Sequence, residues 1–293
     1  EVFKGITSII ILVHNQLDYT KGCIESIRQY TEPNAYEIII IDNASTDGTK
    51  EWLAQQSDIT VIYNDENLGF PKGCNQGIAV AKGSEILLLN NDVVVTARWL
   101  DNLKAALYSS SKVGAVGAIT NNAANRQSIP TSYNSIAEMQ VFANENNNSN
   151  AMYWERRLKL IGFCMLIKSD IVKKIGILDE RFTPGNFEDD DYSLRIIQEG
   201  YELLLCYDVF IHHYGSATFE KILSEAEQYY ELLKVNRDKF TKKWGFNDKN
   251  KISFSWILSQ VDFSISDINI LNIGCGCGSD FLRISQINKS AKL

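Results

Sequence analysis

Four short apolar runs, each ending in polar residues, constrain this chain more than any other feature. They are Ser8 to Val13, Glu37 to Ile41, Ile59 to Tyr63 and Ile86 to Leu89. They are rich in β-branched residues, and the first and last are apolar without alternation, as expected of parallel strands buried on both faces. Helical patterns separate them. Leu17 to Tyr30 carries Cys23, Ile24, Ile27 and Tyr30 at helical spacing before Pro33, and Ser45 to Thr49 offers N-cap chemistry for a helix through about Gln56. Gly73 to Ala81 predicts a third, short helix. Strand and helix in strict alternation give an α/β fold with a doubly wound, Rossmann-like sheet. Ligands of such sheets sit beyond the carboxyl ends of the strands. His14, Asn15, Asp42 and Asp92 all fall there.

The second half is less regular. A helix at Trp99 to Ser109 and a strand at Val113 to Ile119 precede residues 120–151, which are rich in Asn, Ser and Ala and read as a long loop. Then come a strand at Leu160 to Ile167, a helix at Asp170 to Ile175, an acidic cluster opening a helix at Asp190 to Glu199, and a strand at Leu203 to Tyr207. His212 and His213 follow, then a long charged helix over about residues 220–243. The net charge of -7 argues against a nucleic-acid partner and suits an acidic site that recruits a metal ion. None of the six cysteines forms a Cys-x-x-Cys pair, and three sit among apolar residues, which reads as reduced thiols in a cytoplasmic protein. The apolar runs fall far short of the ~20 residues that span a bilayer, so membrane contact is expected to be peripheral at most, at the inner face.

Five constellations can carry chemistry, and each also has a plain structural reading. Asn90-Asn91-Asp92 ends a buried strand. Mg²⁺ or Mn²⁺ bound to phosphates takes only one or two protein carboxylates, although a polar strand-to-loop turn looks the same. Asp42 can accept hydrogen bonds from a base or ribose, or the run Asp42 to Gly48 can simply cap a helix. The run Asn67 to Gly77 has glycines that let backbone approach a ligand, but turns also use glycine for backbone reasons, and no Walker lysine-serine pair is present. Glu188-Asp189-Asp190-Asp191, with Arg195, holds a candidate general base or is a solvated acidic helix start. His212-His213 offers a late metal or phosphate ligand or a packed pair.

Taken in order, these pieces resemble family 2 glycosyltransferases of the GT-A fold. The matching runs are Ser8 to Asn15, Asp42 to Gly48, Asn67 to Gly77, Leu88 to Asp92, Gly162 to Ile167 with Gly176 to Phe182, Glu188 to Arg195, and His213 to Thr218. The branch resembled is that of bacterial rhamnosyl- and galactofuranosyltransferases, which build surface polysaccharides. The resemblance implies that Val13, His14, Asn15, Asp42, Asn67, Gly73, Asn75, Asn90 and Asn91 bind the nucleotide, with uridine the favoured base. It implies that Asp92 is the metal ligand of an Asp-x-Asp motif whose first Asp is here Asn90, with His213 as a further ligand to Mn²⁺ or Mg²⁺. Asp189 would be the general base, with Glu188 and Asp191 around it, and Trp154 would stack on an acceptor sugar. The implied reaction is inverting transfer of a sugar from a nucleoside-diphosphate sugar to a hydroxyl of a glycan or lipid-linked acceptor.

The expected organisation is a glycosyltransferase domain over 1–220, split near 119 into nucleotide and acceptor halves, and a helical extension over 221–265. Residues 266–293 contain Gly274-Cys-Gly276-Cys-Gly278 after an apolar run, which resembles the first motif of S-adenosylmethionine-dependent methyltransferases and is expected to begin a second domain. Two rival readings are a sugar nucleotidylyltransferase, for which the basic glycine-rich loop is missing, and an inactive nucleotide-sugar-binding module, against which the acidic cluster argues.

Overall fold

The computed structural model describes residues 5–215 and 226–245. Its core is an eight-stranded mixed sheet of order β3-β2-β1-β4-β8-β6-β9-β7. The strands are β1 (Thr7–Val13), β2 (Tyr36–Asn43), β3 (Ile59–Asn64), β4 (Glu85–Asn90), β6 (Val113–Ile119), β7 (Trp154–Arg157), β8 (Cys164–Lys168) and β9 (Glu202–Phe210). The first four pair in parallel, as their apolar runs require. β8 runs antiparallel between β4 and β6. A separate two-residue ladder joins β5 (Val93–Val94) to β10 (His212–His213), antiparallel. The sheet is therefore mixed, as the resemblance to the GT-A fold implies.

The chain winds from β1 out to β3 and then returns to place β4 on the other side of β1. That reversal is the topological switch point at which ligands of open α/β sheets bind. Register puts Val13 opposite Asp42 and Leu12 opposite Asn90, so three strand ends open into one crevice.

Helices α1 (Leu17–Tyr30), α2 (Thr49–Leu53), α3 (Phe70–Val80), α4 (Trp99–Leu107), α5 (Ile136–Asn146), α6 (Ser169–Ile175), α7 (Glu188–Gln198) and α8 (Ala226–Trp244) cover the sheet. α5 corrects the reading of 120–151 as an unstructured loop. Its N-cap is Ser135, whose hydroxyl accepts from the Glu138 amide, while Glu138 reaches back to the amide of Asn134. Met139 and Ala143, about one turn apart, are the buried residues of this helix, too weak a period to stand out in an Asn-rich stretch. β8 begins at Cys164, later than expected, because Leu160 and Ile161 spend their amides on Ser193 and Gln127 rather than on a ladder. α8 is the described part of the expected extension. The glycine motif Gly274 to Gly278 lies outside the described residues. Cys23, Cys74, Cys164 and Cys206 are all free and buried, in accord with reduced thiols. Among the described residues, no helix is long and apolar enough to cross a membrane.

The glycines of α3 have a packing cause. A Cβ on Gly73 would stand 2.1 Å from Leu12 Cδ1, and one on Gly77 would stand 2.6 Å from Ile10 Cγ2 and 2.9 Å from Ile41 Cδ1. The helix therefore lies directly on β1 and β2, which gives Gly73, expected at the nucleotide, a packing reason to be glycine. Ile10 is fully buried and stiff at its branch carbon, so it cannot retreat. Gly77→Ala should lower stability by roughly 1–3 kcal/mol through overpacking, measured by urea unfolding, although alanine is the better helix former.

Candidate active site

The β5–β10 ladder sets His213 opposite Val93, next to Asp92. His213 Nε2 lies 3.1 Å from Asp92 Oδ1 and 3.4 Å from Asn90 Nδ2. Its Nδ1 is 2.7 Å from the Asn122 carbonyl oxygen, which can only accept, so Nδ1 carries a proton. Asn121 fixes the His213 backbone from both sides, its Oδ1 accepting from the amide and its Nδ2 donating to the carbonyl. Phe163 stacks on the imidazole at 5.4 Å between centroids. Asp92 accepts at Oδ2 from the Gly215 amide and at its carbonyl from Tyr214. Burial pushes the Asp92 carboxyl up, but hydrogen bond and charge from His213 and the Gly215 amide outweigh it and hold Asp92 below its ordinary range. Burial likewise depresses His213, and Asp92 more than restores it.

His212 differs. It packs edge-on against Tyr133 and Tyr214, and its Nδ1 lies 2.6 Å from the Tyr133 hydroxyl. Burial, then the charge of His213, lower it to about 4, so it stays neutral and structural.

A divalent ion fits the donor set. Asp92 offers an anionic oxygen, and His213 offers Nε2 while its Nδ1 proton is tied to a backbone carbonyl, the arrangement that orients metal-binding histidines. Among the described residues, no group of three or more such side chains gathers anywhere. Two protein ligands suit an ion that completes its shell with phosphate oxygens and water.

At the switch point, the loops after β1 and β2 interlock. Asn15 donates its amide to Ser45 Oγ and accepts from the Thr46 amide, Asp42 Oδ1 accepts from the Ser45 amide, and His14 Nδ1 meets the Asn43 carbonyl at 2.7 Å. Asn15, Gln16 and Ala44 hold left-handed backbone at φ near 60°, a cost that non-glycine residues bear mainly at functional loops. Asn91 donates to Thr20. Two other residues expected at the nucleotide have protein partners in the structure. Asn75 is buried, donates to Leu178 O and Glu180 Oε1, and accepts from the Leu178 amide, which ties α3 to the segment before α7. Asn67 Oδ1 accepts from Asn43 and from the Gly69 amide, closing the turn into α3.

The acidic run splits by burial. Glu188, Asp190 and Asp191 are buried, whereas Asp189 is half-buried. Asp189 Oδ2 accepts from the Gly162 amide and Oδ1 from the Asp190 amide. Burial and then the charge of Asp190 push Asp189 up, with Lys159 pulling it partly back; Lys159 pairs with Asp190 at 2.5 Å. Glu188 is raised well above its usual value by burial and by Asp189, and its Oε2 is buried without a hydrogen-bond partner. Asp191 does not join this group, which corrects its placement around the base. It is fully buried and bound to Arg195 Nε at 3.0 Å, Lys243 Nζ at 2.6 Å and Trp244 Nε1 at 2.8 Å. Trp154 is likewise structural: it packs against the main core and its indole N–H donates to Asp208 at the far edge of the sheet.

One dipeptide links the two centres. The Gly162 amide holds Asp189, and Phe163 stacks on His213 while its carbonyl accepts from the Asn90 amide.

Residues 8–176 match the family model described as glycosyl transferase family 2. The chain belongs to that family. Within it, the chain is 26% identical over 208 residues to glycosyltransferase AglE of Haloferax volcanii, covering 69% of this chain and 64% of that protein. It is 32% identical to the putative teichuronic acid biosynthesis glycosyltransferase TuaG of Bacillus subtilis over 94 residues, 31% of this chain and 37% of that one. The Pyrobaculum calidifontis mannosyltransferase PcManGT, solved with GDP-Man and Mn²⁺, superposes with a TM-score of 0.55 at 19% identity, over 72% of this chain and 57% of that one. GalNAc-T7, solved with UDP, GalNAc and Mn²⁺, gives 0.58 at 16% identity, over 73% and 44%. The chain thus spans less than two thirds of these relatives' lengths.

Sequence reasoning on this family 2 chain missed Asn121 and Asn122, which orient His213, and the Gly215 amide on Asp92. Nothing distinguished the two asparagines among their many neighbours. Asp191→Asn should cost roughly 3 kcal/mol in urea unfolding, because Lys243 and Arg195 lose their buried partner, while Mn²⁺ affinity stays within about twofold by titration.

Proposed function

We propose that the chain transfers a sugar from a nucleoside-diphosphate sugar, with uridine the favoured base, to a hydroxyl of a glycan or lipid-linked acceptor in surface polysaccharide synthesis, inverting the anomeric carbon. The observation that carries this reading is the Gly162–Phe163 dipeptide, which couples a half-buried carboxylate to the Asp92–His213 pair at the sheet's switch point. The neighbours solved with GDP-Man or with UDP, each with Mn²⁺, support a nucleotide sugar and a divalent ion.

Asp92 and His213 would hold Mn²⁺ or Mg²⁺. When bound, the ion supplies positive charge that stabilises the departing nucleoside diphosphate. Asp42 and the backbone at Val13 to Asn15 would take base and ribose, and Asn90 and Asn91 would contact the nucleotide. Asp189 accepts the proton of the acceptor hydroxyl as its oxygen attacks the anomeric carbon and the bond to the diphosphate breaks. The Gly162 and Asp190 amides hold the carboxylate in one orientation, so it need not be reordered during the reaction.

Asp189→Asn should lower turnover of a UDP-sugar by about 10²–10⁴ while Mn²⁺-dependent UDP binding, read by calorimetry, changes little. Equal loss of both would sink the base assignment. Donor binding without any turnover or slow hydrolysis in the parent protein would favour the inactive binding module instead.

A pH profile gives a second check. Lys159 lowers the Asp189 pKa, and the base must be ionised to act. Lys159→Gln therefore raises that pKa, and the acid limb of kcat/KM should move to higher pH.

A further inference from the structure

Beyond β6, on the side of the metal pair away from the nucleotide strands, lies a cleft of about 600 Å³. Its size is that of a small-ligand site, about 300–1,000 Å³. Ile119 in its wall is two residues before Asn121, which grips the His213 backbone. Gln127, fully buried, ties the same strand end to the segment that leads to Gly162, donating to the Ala118 carbonyl and accepting from the Ile161 amide. The cleft therefore adjoins the strand end that both the metal pair and the candidate base lean on.

Its chemistry is that of a carbohydrate site. Tyr153 and Tyr207 supply rings and Asn146, Asn148 and Asn150 supply amides; among the described residues Glu145 is the one charged residue in its lining, with no Lys, Arg or His. Sugars present apolar C–H faces that pack on rings and hydroxyls that pair with amides, and they bring no charge that needs a cation. The polar groups are already held in place. Asn146 donates through Nδ2 to the Tyr207 carbonyl and Asn148 to the Glu145 carbonyl, which leaves each amide oxygen as an acceptor in a fixed plane. Asn150 spends its oxygen on the Met152 amide and keeps its Nδ2 donors. The Tyr207 hydroxyl accepts from Arg157, which pins its ring, while Tyr153 is 55% exposed beside Met152 at 89%. Pre-set amides and the pinned Tyr207 ring reduce the ordering cost of binding.

We propose that this cleft holds uncharged sugar residues of the acceptor glycan, beyond the residue that reacts. The proposal rests on the transferase reading above only for the word acceptor. Sugar binding in the cleft is measurable without turnover.

The test titrates linear trisaccharides of glucose, galactose, mannose, rhamnose and N-acetylglucosamine, each beside its monosaccharide, into the full chain by saturation-transfer NMR. Tyr153→Ala and Asn148→Ala are run alongside, with Mn²⁺-dependent UDP binding read in the same samples. At least one trisaccharide should bind more tightly than its monosaccharide, and Tyr153→Ala should weaken it about five- to tenfold with UDP affinity unchanged. Binding of no trisaccharide above its monosaccharide, or binding indifferent to both substitutions, would overturn the proposal, as would displacement of the trisaccharide by inorganic phosphate. Failure of UDP to bind the parent protein would count against the transferase reading and leave the sugar measurement standing.

Discussion

The two-residue ladder between β5 and β10 is the contact on which this site depends. It pairs His213 with Val93, and so brings an imidazole against a carboxylate from a strand end far away in the chain. Two hydrogen-bonded residues alone could not hold such a junction. It survives because Asn121 clasps the His213 backbone, the Asn122 carbonyl takes its Nδ1 proton, and the Tyr214 and Gly215 amides close onto Asp92. The ring then has one nitrogen left, and it faces Asp92. Polar groups in a partly buried place must be partnered, and here each partner also fixes a direction.

The acidic run shows a division of labour among adjacent residues. On a helix, neighbours in sequence point about 100° apart, so four consecutive carboxylates cannot share one environment. Asp191 turns to α8 and is neutralised by Lys243 and Arg195, and Asp190 takes Lys159. Asp189 remains half-open, held by two amides. α8 supports this arrangement from outside: fully buried Asn236 donates to the carbonyls of Phe182, Gly185 and Asn186, and Phe240 packs with Phe182 and Phe187. The segment that leads into Glu188 is thus clamped by a helix that the strand pattern alone does not demand.

Much of the fold was legible because burial on both faces of a parallel sheet writes itself into composition. The runs at Ser8 and Ile86 are the interior strands their composition predicts, and α1 and β6 fall where the sequence pattern put them. The family motifs carried the order of the site residues. What the motifs did not carry was which face each residue presents. Gly73 and Asn75 sit in a motif that reads as a ligand loop, yet one packs on Leu12 and the other ties α3 to Leu178 and Glu180. Glycines for tight packing and glycines for ligand approach look identical in a string of letters.

The sequence by itself determined the four parallel strands β1 to β4, their carboxyl ends as the place for a ligand, Asp42 and Asp92 at those ends, Asp189 at a helix start and His213 just after a strand. Hydrophobic period and strand-end position are local properties, and a chain displays them directly. Only the tertiary structure decided which groups hold His213 against Asp92, that Asp191 is a structural anchor, and that Trp154 packs on the core beside Asp208. Those outcomes turn on direction and burial, which arise when segments far apart in the chain pack together and each polar group must find a partner.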